Sequence, residues 1–173
     1  MIDIVHPEQA HTLLAALETY RPARRTFLAA LDVPTSNRDP LAEFSERLVQ
    51  ALMGGALAKS RVQPGHDLVL ADQRAVQVRY LANTGRTWVN EHVVYRIAGV
   101  DLYALVIVEE FAVVGVLVFP TSGLSLICAA LGKRHPRQKE QLQLTNRNWQ
   151  AIRDDIQRFE ALGVQVWMPA LPQ

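Results

Sequence analysis

The sequence predicts an α/β fold in which helices flank a mixed β-sheet, and two observations lead to this prediction. Apolar residues recur at helical spacing before residue 58 and again after residue 145, whereas much of the chain between them has the spacing of strands. Within that middle part, residues 103–108 form a nearly continuous apolar run, which is typical of a central strand buried on both faces. Strands enclosed between helical segments predict one sheet with helices packed on it.

The first elements along the chain are expected to be helices outside that core. Residues 8–31 predict a helical hairpin, in which Pro22 starts the second helix because proline favours the first helical position. Residues 32–37 have the composition of a loop. We therefore expect an N-terminal helical extension over residues 1–37 and an α/β core over residues 38–173.

The core is expected to begin with a helix from Asp39 to Ala58, with Asp39 as its N-cap and Pro40 at its first position. Two apolar stripes run along this helix, one with Leu48 and Leu52 and the other with Val49 and Met53. A helix that is apolar on two sides is usually enclosed within a domain.

Four strands and two helices are predicted to follow, and then a last strand. The strands cover residues 67–70, 75–80, 103–108 and 112–119, and a short turn joins the first two into a hairpin. A short helix is expected over residues 122–131. A longer helix follows, with Thr145 as N-cap and Gly163 as its stop, and residues 164–167 then form the last strand.

Composition excludes several classes of protein. The net charge of +1 over 173 residues means that any nucleic-acid-binding surface has to be a local patch. A single cysteine, Cys128, builds neither a zinc cluster nor a disulfide, and its apolar neighbours predict a small buried side chain. The longest apolar run is too short to cross a bilayer, and the first residues lack the pattern of a signal peptide. We therefore expect a soluble, cytoplasmic protein.

Four polar residues form the candidate site. Gln77 and Arg79 lie on one side of their predicted strand, and the hairpin can bring Asp67 close to them. Glu46 falls on the helical stripe of Val49, where a carboxylate needs a partner, a cation or a metal because burying it alone is costly.

In these residues the chain resembles the restriction-endonuclease-like, or PD-(D/E)XK, nuclease superfamily over about residues 39–168. Glu46 is similar to the helix glutamate of Holliday-junction-resolvase-like members, and Asp67 follows Gly65 as in the first core strand of the superfamily. Gln77 and Arg79 stand where the E-x-K motif is expected, and the Mrr group is similar in having glutamine at the first of these positions.

The resemblance implies a restriction-endonuclease-like core and a Mg²⁺-dependent or Mn²⁺-dependent DNA endonuclease or repair nuclease. Asp67 and Glu46 are then the metal ligands, because hard cations prefer oxygen donors. Gln77 and Arg79 complete the expected catalytic set. Arg79 stands in place of the usual lysine. Because a guanidinium keeps its proton, it can donate hydrogen bonds to a phosphate but cannot act as a general base.

The sequence is also consistent with two other interpretations of these four residues. The same residues fit a catalytically inactive descendant that binds nucleic acid or a protein partner, and they also fit an unrelated α/β module in which they form ordinary surface ion pairs. DNA is the expected partner, RNA is the alternative, and a homodimer is left open. A basic loop gives a second candidate contact to phosphates, or alternatively a solvated connector, and its members are Lys133, Arg134, Arg137 and Lys139.

Overall fold

The computed structural model describes residues 7–34, 40–58, 65–133 and 141–169. The chain divides into two compact units, Met1–Phe44 and Ser45–Gln173. The division falls inside the second helix, whereas the sequence predicted a boundary in the loop before it.

The first unit contains one long helix in place of the predicted hairpin. Helix α1 runs from Pro7 to Ala30 without interruption, and Pro22 lies inside it. Proline lacks the N–H that would bind the carbonyl group of Glu18, but Pro22 is exposed, so water can hydrate that carbonyl group. The prediction that Pro22 begins a second helix is therefore wrong.

Helix α2 (Pro40–Met53) is shorter than predicted. Gly54 and Gly55 follow it with φ values of 73° and 91°, a left-handed backbone that ends a helix and favours glycine. A Cβ atom on Gly55 would lie 2.4 Å from the carbonyl oxygen of Val69, so the chain also approaches its neighbour closely here. Residues that were expected to extend the helix instead form the short strand β1 (Ala56–Leu57).

A six-stranded mixed sheet forms the centre of the second unit. Besides β1, its strands are β2 (Leu68–Val69), β3 (Ala75–Asn83), β5 (Leu102–Glu109), β6 (Ala112–Pro120) and β8 (Gln165–Trp167). They lie in the order β1-β2-β3-β5-β6-β8. Strands β3 and β5 are parallel, and every other neighbouring pair in this sheet is antiparallel. This confirms the predicted α/β class with helices around a mixed sheet.

A second, two-stranded sheet was not predicted. Strand β4 (His92–Tyr95) pairs in antiparallel fashion with β7 (Gln141–Leu144). β4 follows a polar stretch that was expected to be a loop, and β7 follows a basic stretch, so both short strands were missed although His92-Val93-Val94-Tyr95 and Gln141-Leu142-Gln143-Leu144 have strand-like composition or alternation. What makes them strands is their pairing, together with the burial of Val94, Leu142 and Leu144.

The two faces of the central sheet differ in composition. The aliphatic face is packed by small branched side chains, which include Val76, Val78, Ala104, Val106, Val116 and Val118, and Val49 of α2 belongs to the same cluster. The mixed face carries larger and more varied side chains, which include Tyr103, Leu105, Phe119, Trp149, Ile152 and Phe159. Since Val49 lies in the first cluster, the part of α2 that belongs to this unit packs on the aliphatic face.

Three helices accompany the mixed face. A 3₁₀ turn leads into helix α3 (Leu124–Ala130), where Cys128 is buried as predicted. Thr145 is the N-cap of helix α4 (Asn146–Asp154), also as predicted, and it forms a capping box with Asn148. The expected single last helix is interrupted at Asp155, whose side chain accepts a hydrogen bond from the Arg158 backbone and starts helix α5 (Ile156–Glu160). Among the helices that the structure describes, none has both the length and the apolar character needed to cross a bilayer.

Candidate functional site

Three of the four predicted site residues converge on a single carboxylate oxygen. Asp67 Oδ2 accepts hydrogen bonds from Gln77 Nε2, from the Val78 backbone N–H at 2.8 Å and from Arg79 Nη1 at 3.2 Å. Asp67, the acceptor, directly precedes β2, while the three donors lie on the antiparallel neighbour β3. We refer to Asp67, Gln77 and Arg79 together as the Asp67 cluster.

Strand alternation explains why these side chains meet. Val76 and Val78 of β3 are buried on the aliphatic face, so Gln77 and Arg79 point to the mixed face. Gln77 is only 4% exposed, and its amide is satisfied by the carboxylate of Asp67. The hydrophobic pattern of β3 therefore sets the direction of its polar residues.

The guanidinium of Arg79 is both anchored and accessible. Nη1 donates to the carbonyl oxygen of Val78 at 2.7 Å as well as to Asp67. The Arg79 side chain is 47% exposed and that of Asp67 is 23% exposed. An arginine has five N–H donors, so several remain for an external anion. The hydrogen bonds to Asp67 and to the Val78 carbonyl oxygen fix the orientation of the guanidinium.

Glu46 lies on α2 one turn before Val49, which is fully buried in the cluster on the aliphatic face. Gln77 and Arg79 of the Asp67 cluster belong to the mixed face of β3. The pairing of Glu46 with Asp67 as metal ligands stays a prediction.

The donors around Asp67 do not fit a divalent cation. Within the described ranges, the side chains of His, Cys, Asp and Glu form no group of three or more that could hold a metal ion. Asp67 Oδ2 already accepts three hydrogen bonds, and the guanidinium of Arg79 places positive charge 3.2 Å from it. Mg²⁺ and Mn²⁺ prefer several anionic or carbonyl oxygens, whereas here one carboxylate and one neutral amide stand beside a cation.

Two further residues of the site were not found from the sequence. Tyr103 is the register partner of Gln77 on the parallel strand β5, and its hydroxyl lies 2.7 Å from Nε2 of His92 on β4. Tyr103 belongs to the mixed-face cluster and is buried. The available signal was its hydroxyl group at the start of an otherwise aliphatic strand, but its neighbour His92 belongs to a strand that was expected to be a loop.

Burial controls the ionisation of this pair. It lowers the pKa of His92, and the positive charge of Arg79 lowers it further. Burial raises the pKa of Tyr103 to about 12, against the opposing effect of Arg79. The imidazole is thus neutral and the phenol protonated at neutral pH.

Arginines also line an open groove at the start of β3 and β5. The groove has a volume of about 500 Å³, and its polar side chains include Arg74, Arg96, Thr121 and Ser122. Asp101 is part of the same lining, but its Oδ2 accepts a hydrogen bond from the Ala75 backbone at 2.9 Å. We call this feature the arginine groove. It was not predicted, because its members are separated by up to 48 positions along the chain.

The predicted basic loop is only partly described. Lys133 donates through Nζ to the Gln143 carbonyl oxygen at 3.1 Å, which ties it to the edge of β7. Arg134, Arg137 and Lys139 lie outside the described residues. The contact of this loop with phosphates therefore stays a prediction.

The segment after β3 is organised by Asn83. Its Oδ1 accepts hydrogen bonds from the backbone N–H groups of Val89 and Asn90 at 2.9 and 2.8 Å. Trp88 in the same segment donates through Nε1 to Glu109 at 2.7 Å and packs against the mixed-face cluster.

Comparison with protein-family models and with curated proteins finds no match to this chain.

Proposed function

We propose that this chain is a divergent, non-catalytic member of the restriction-endonuclease-like superfamily that binds nucleic acid, with the Asp67 cluster in contact with the phosphodiester backbone. The observation that supports this most strongly is the convergence of Asp67 with Gln77 and Arg79 on one face of a hairpin. These are the residue positions at which the resemblance implies a site. DNA is the expected ligand, and RNA is the alternative.

Arg79 is the group best suited to hold a phosphate. A guanidinium matches the geometry of phosphate oxygens with two parallel donors, and it stays charged at every pH at which the protein is folded. Asp67 and the Val78 carbonyl oxygen hold one nitrogen in place, while about half of the side chain faces solvent. A pre-oriented arginine loses less side-chain entropy when an anion binds.

The same geometry argues against hydrolysis. Arg79 cannot accept a proton from water, and Asp67 Oδ2 is occupied by three donors. A nuclease of the implied type needs a metal to activate water, and the described donors do not fit one.

Binding of labelled duplex DNA and RNA in EDTA, measured by fluorescence anisotropy, tests this proposal. Arg79→Ala should weaken binding about tenfold and reduce the slope of log K against log salt by about 0.9, because one phosphate contact is lost. Arg153 is a matched control, since its side chain is 48% exposed and also paired with a carboxylate, at 3.6 Å. Equal affinities for Arg79→Ala, Arg153→Ala and the wild type would refute the proposal.

A second experiment, with added metal ions, distinguishes binding from catalysis. Plasmid and branched DNA are incubated with Mg²⁺ or Mn²⁺ and the wild type, Asp67→Asn or Arg79→Lys. We expect no cleavage by any of them, because the cation site is incomplete. Cleavage by the wild type that Asp67→Asn abolishes would replace the binding function with a nuclease.

A further inference from the structure

His92 contacts Tyr103, which is the register partner of Gln77 in the Asp67 cluster. The ring centroids of His92 and Tyr103 are 5.8 Å apart, and the Nε2–hydroxyl distance is 2.7 Å. Tyr103 is adjacent to Gln77 in the parallel register of β3 and β5. Neighbouring strands lie about 4.8 Å apart, so the phenol and the amide of Gln77 are side by side on the mixed face.

Arg79 is the charged group that acts on His92 from the central sheet. Asp67 and Tyr95 act on Tyr103, and the ring of Tyr95 is 6.0 Å from that of Tyr103. Strand β7, which pairs with β4, carries no titratable side chain over Gln141–Leu144. Glu91, next to His92 in the chain, accepts a hydrogen bond from Gln143 on the exposed side.

An anion at Arg79 would change this balance. In the unliganded protein, burial and the guanidinium both lower the pKa of His92, so the ring is neutral at neutral pH. A phosphate offsets the positive charge of Arg79 and attracts a second cation. The protonated ring would then have two donors, of which Nε2–H is directed to the hydroxyl of Tyr103.

We propose that His92 is a second phosphate-binding group of this site and that it binds in its protonated form, with Tyr103 accepting Nε2–H and leaving Nδ1–H for the ligand. This inference rests on the proposed nucleic-acid-binding function. Tyr103 is a positioning residue, because it is buried and acts on the ligand only through the orientation of the imidazole.

Proton uptake must accompany binding if His92 is protonated in the complex. Affinity then rises as the pH falls through the range in which the bound imidazole takes up its proton, and by linkage the ligand raises the pKa of His92. Glutamine at position 92 removes this dependence, since it has no proton to gain. His66 provides a matched control, because it directly precedes Asp67 and is also partly buried.

The test is anisotropy with a short labelled DNA duplex between about pH 5.5 and about pH 8, a range that brackets histidine titration. We expect the wild type and His66→Gln to gain about fivefold or more in affinity towards acid pH. His92→Gln should lose most of this gain, and Tyr103→Phe should lose part of it. A pH dependence in His92→Gln equal to that of the wild type would overturn the inference while leaving the proposed function intact if Arg79→Ala still weakens binding.

A second readout needs no variant at position 92. The imidazole signals of the wild type are titrated by NMR with and without the duplex, and the signal of His92 is assigned from through-bond correlations within the wild-type protein. A higher pKa of His92 in the complex supports the inference, and an unchanged value overturns it. Absence of binding by the wild type would overturn both the inference and the proposed function.

Discussion

The aliphatic and mixed faces are formed by alternate residues of the same strands, but they differ in their role: the first packs branched aliphatic side chains, and the second also carries the polar Asp67 cluster. On β3, Val76 and Val78 pack into a cluster made almost entirely of branched aliphatic side chains. Gln77 and Arg79, their immediate neighbours, form the polar cluster with Asp67. One face thus anchors the strand and the other presents its chemistry, so the positions of the polar residues depend on the packing of the apolar ones.

The strongest test of this division is to place a polar group on the aliphatic face. Val76→Asn should destabilise the protein by about 3 kcal/mol, because it buries an amide without a partner and removes packed methyl groups. Gln77→Met, one residue away on the mixed face, should cost about 1 kcal/mol, since Asp67 keeps its other donors. Urea unfolding measures both changes. A smaller loss for Val76→Asn than for Gln77→Met would contradict the division.

A second test concerns the packing of the mixed face. Gly115 lies on β6, and a Cβ atom added to it would be 2.4 Å from Cη2 of the buried Trp149. Gly115→Ala should therefore destabilise the protein by about 2 kcal/mol, because the indole has no room to move. Gly85→Ala is the control, since its added atom meets only a Glu110 carboxylate oxygen at 3.4 Å. Thermal unfolding measures the loss of stability in both variants. Equal losses would show that Trp149 and helix α4 shift to accommodate the methyl group added at position 115, which would contradict this prediction.

The smallest effect is expected from the pH dependence of stability. The pKa of His92 is lowered in the folded protein, so the unfolded chain binds its proton more readily. This contribution to stability is fully present above the unfolded value of about 6.5 and is lost as the pH falls through the lower folded value. His92→Gln should reduce the change of melting temperature between neutral and acid pH relative to the wild type. An identical change in both proteins would show that His92 does not contribute to the acid response.

The chain order of most elements could be predicted from the sequence, because periodicity and end signals are local. The apolar run at residues 103–108 marked β5, and Thr145 marked the start of α4 through its side-chain cap. Gln77 and Arg79 could be assigned to one side of β3, because alternation depends only on position along the strand. Their approach to Asp67 followed from the short hairpin.

Tertiary structure alone decided the features that depend on distant partners. Pro22 stays within α1 because it is exposed, and β4 and β7 are strands because they pair across 45 or more intervening residues. The pairing of Tyr103 with His92 and the packing of α2 on the aliphatic face depend on which face of the sheet each element covers. A hydrophobic stripe shows that a helix is buried, but the side of the sheet that it covers is set by the path of the whole chain, which no local pattern records.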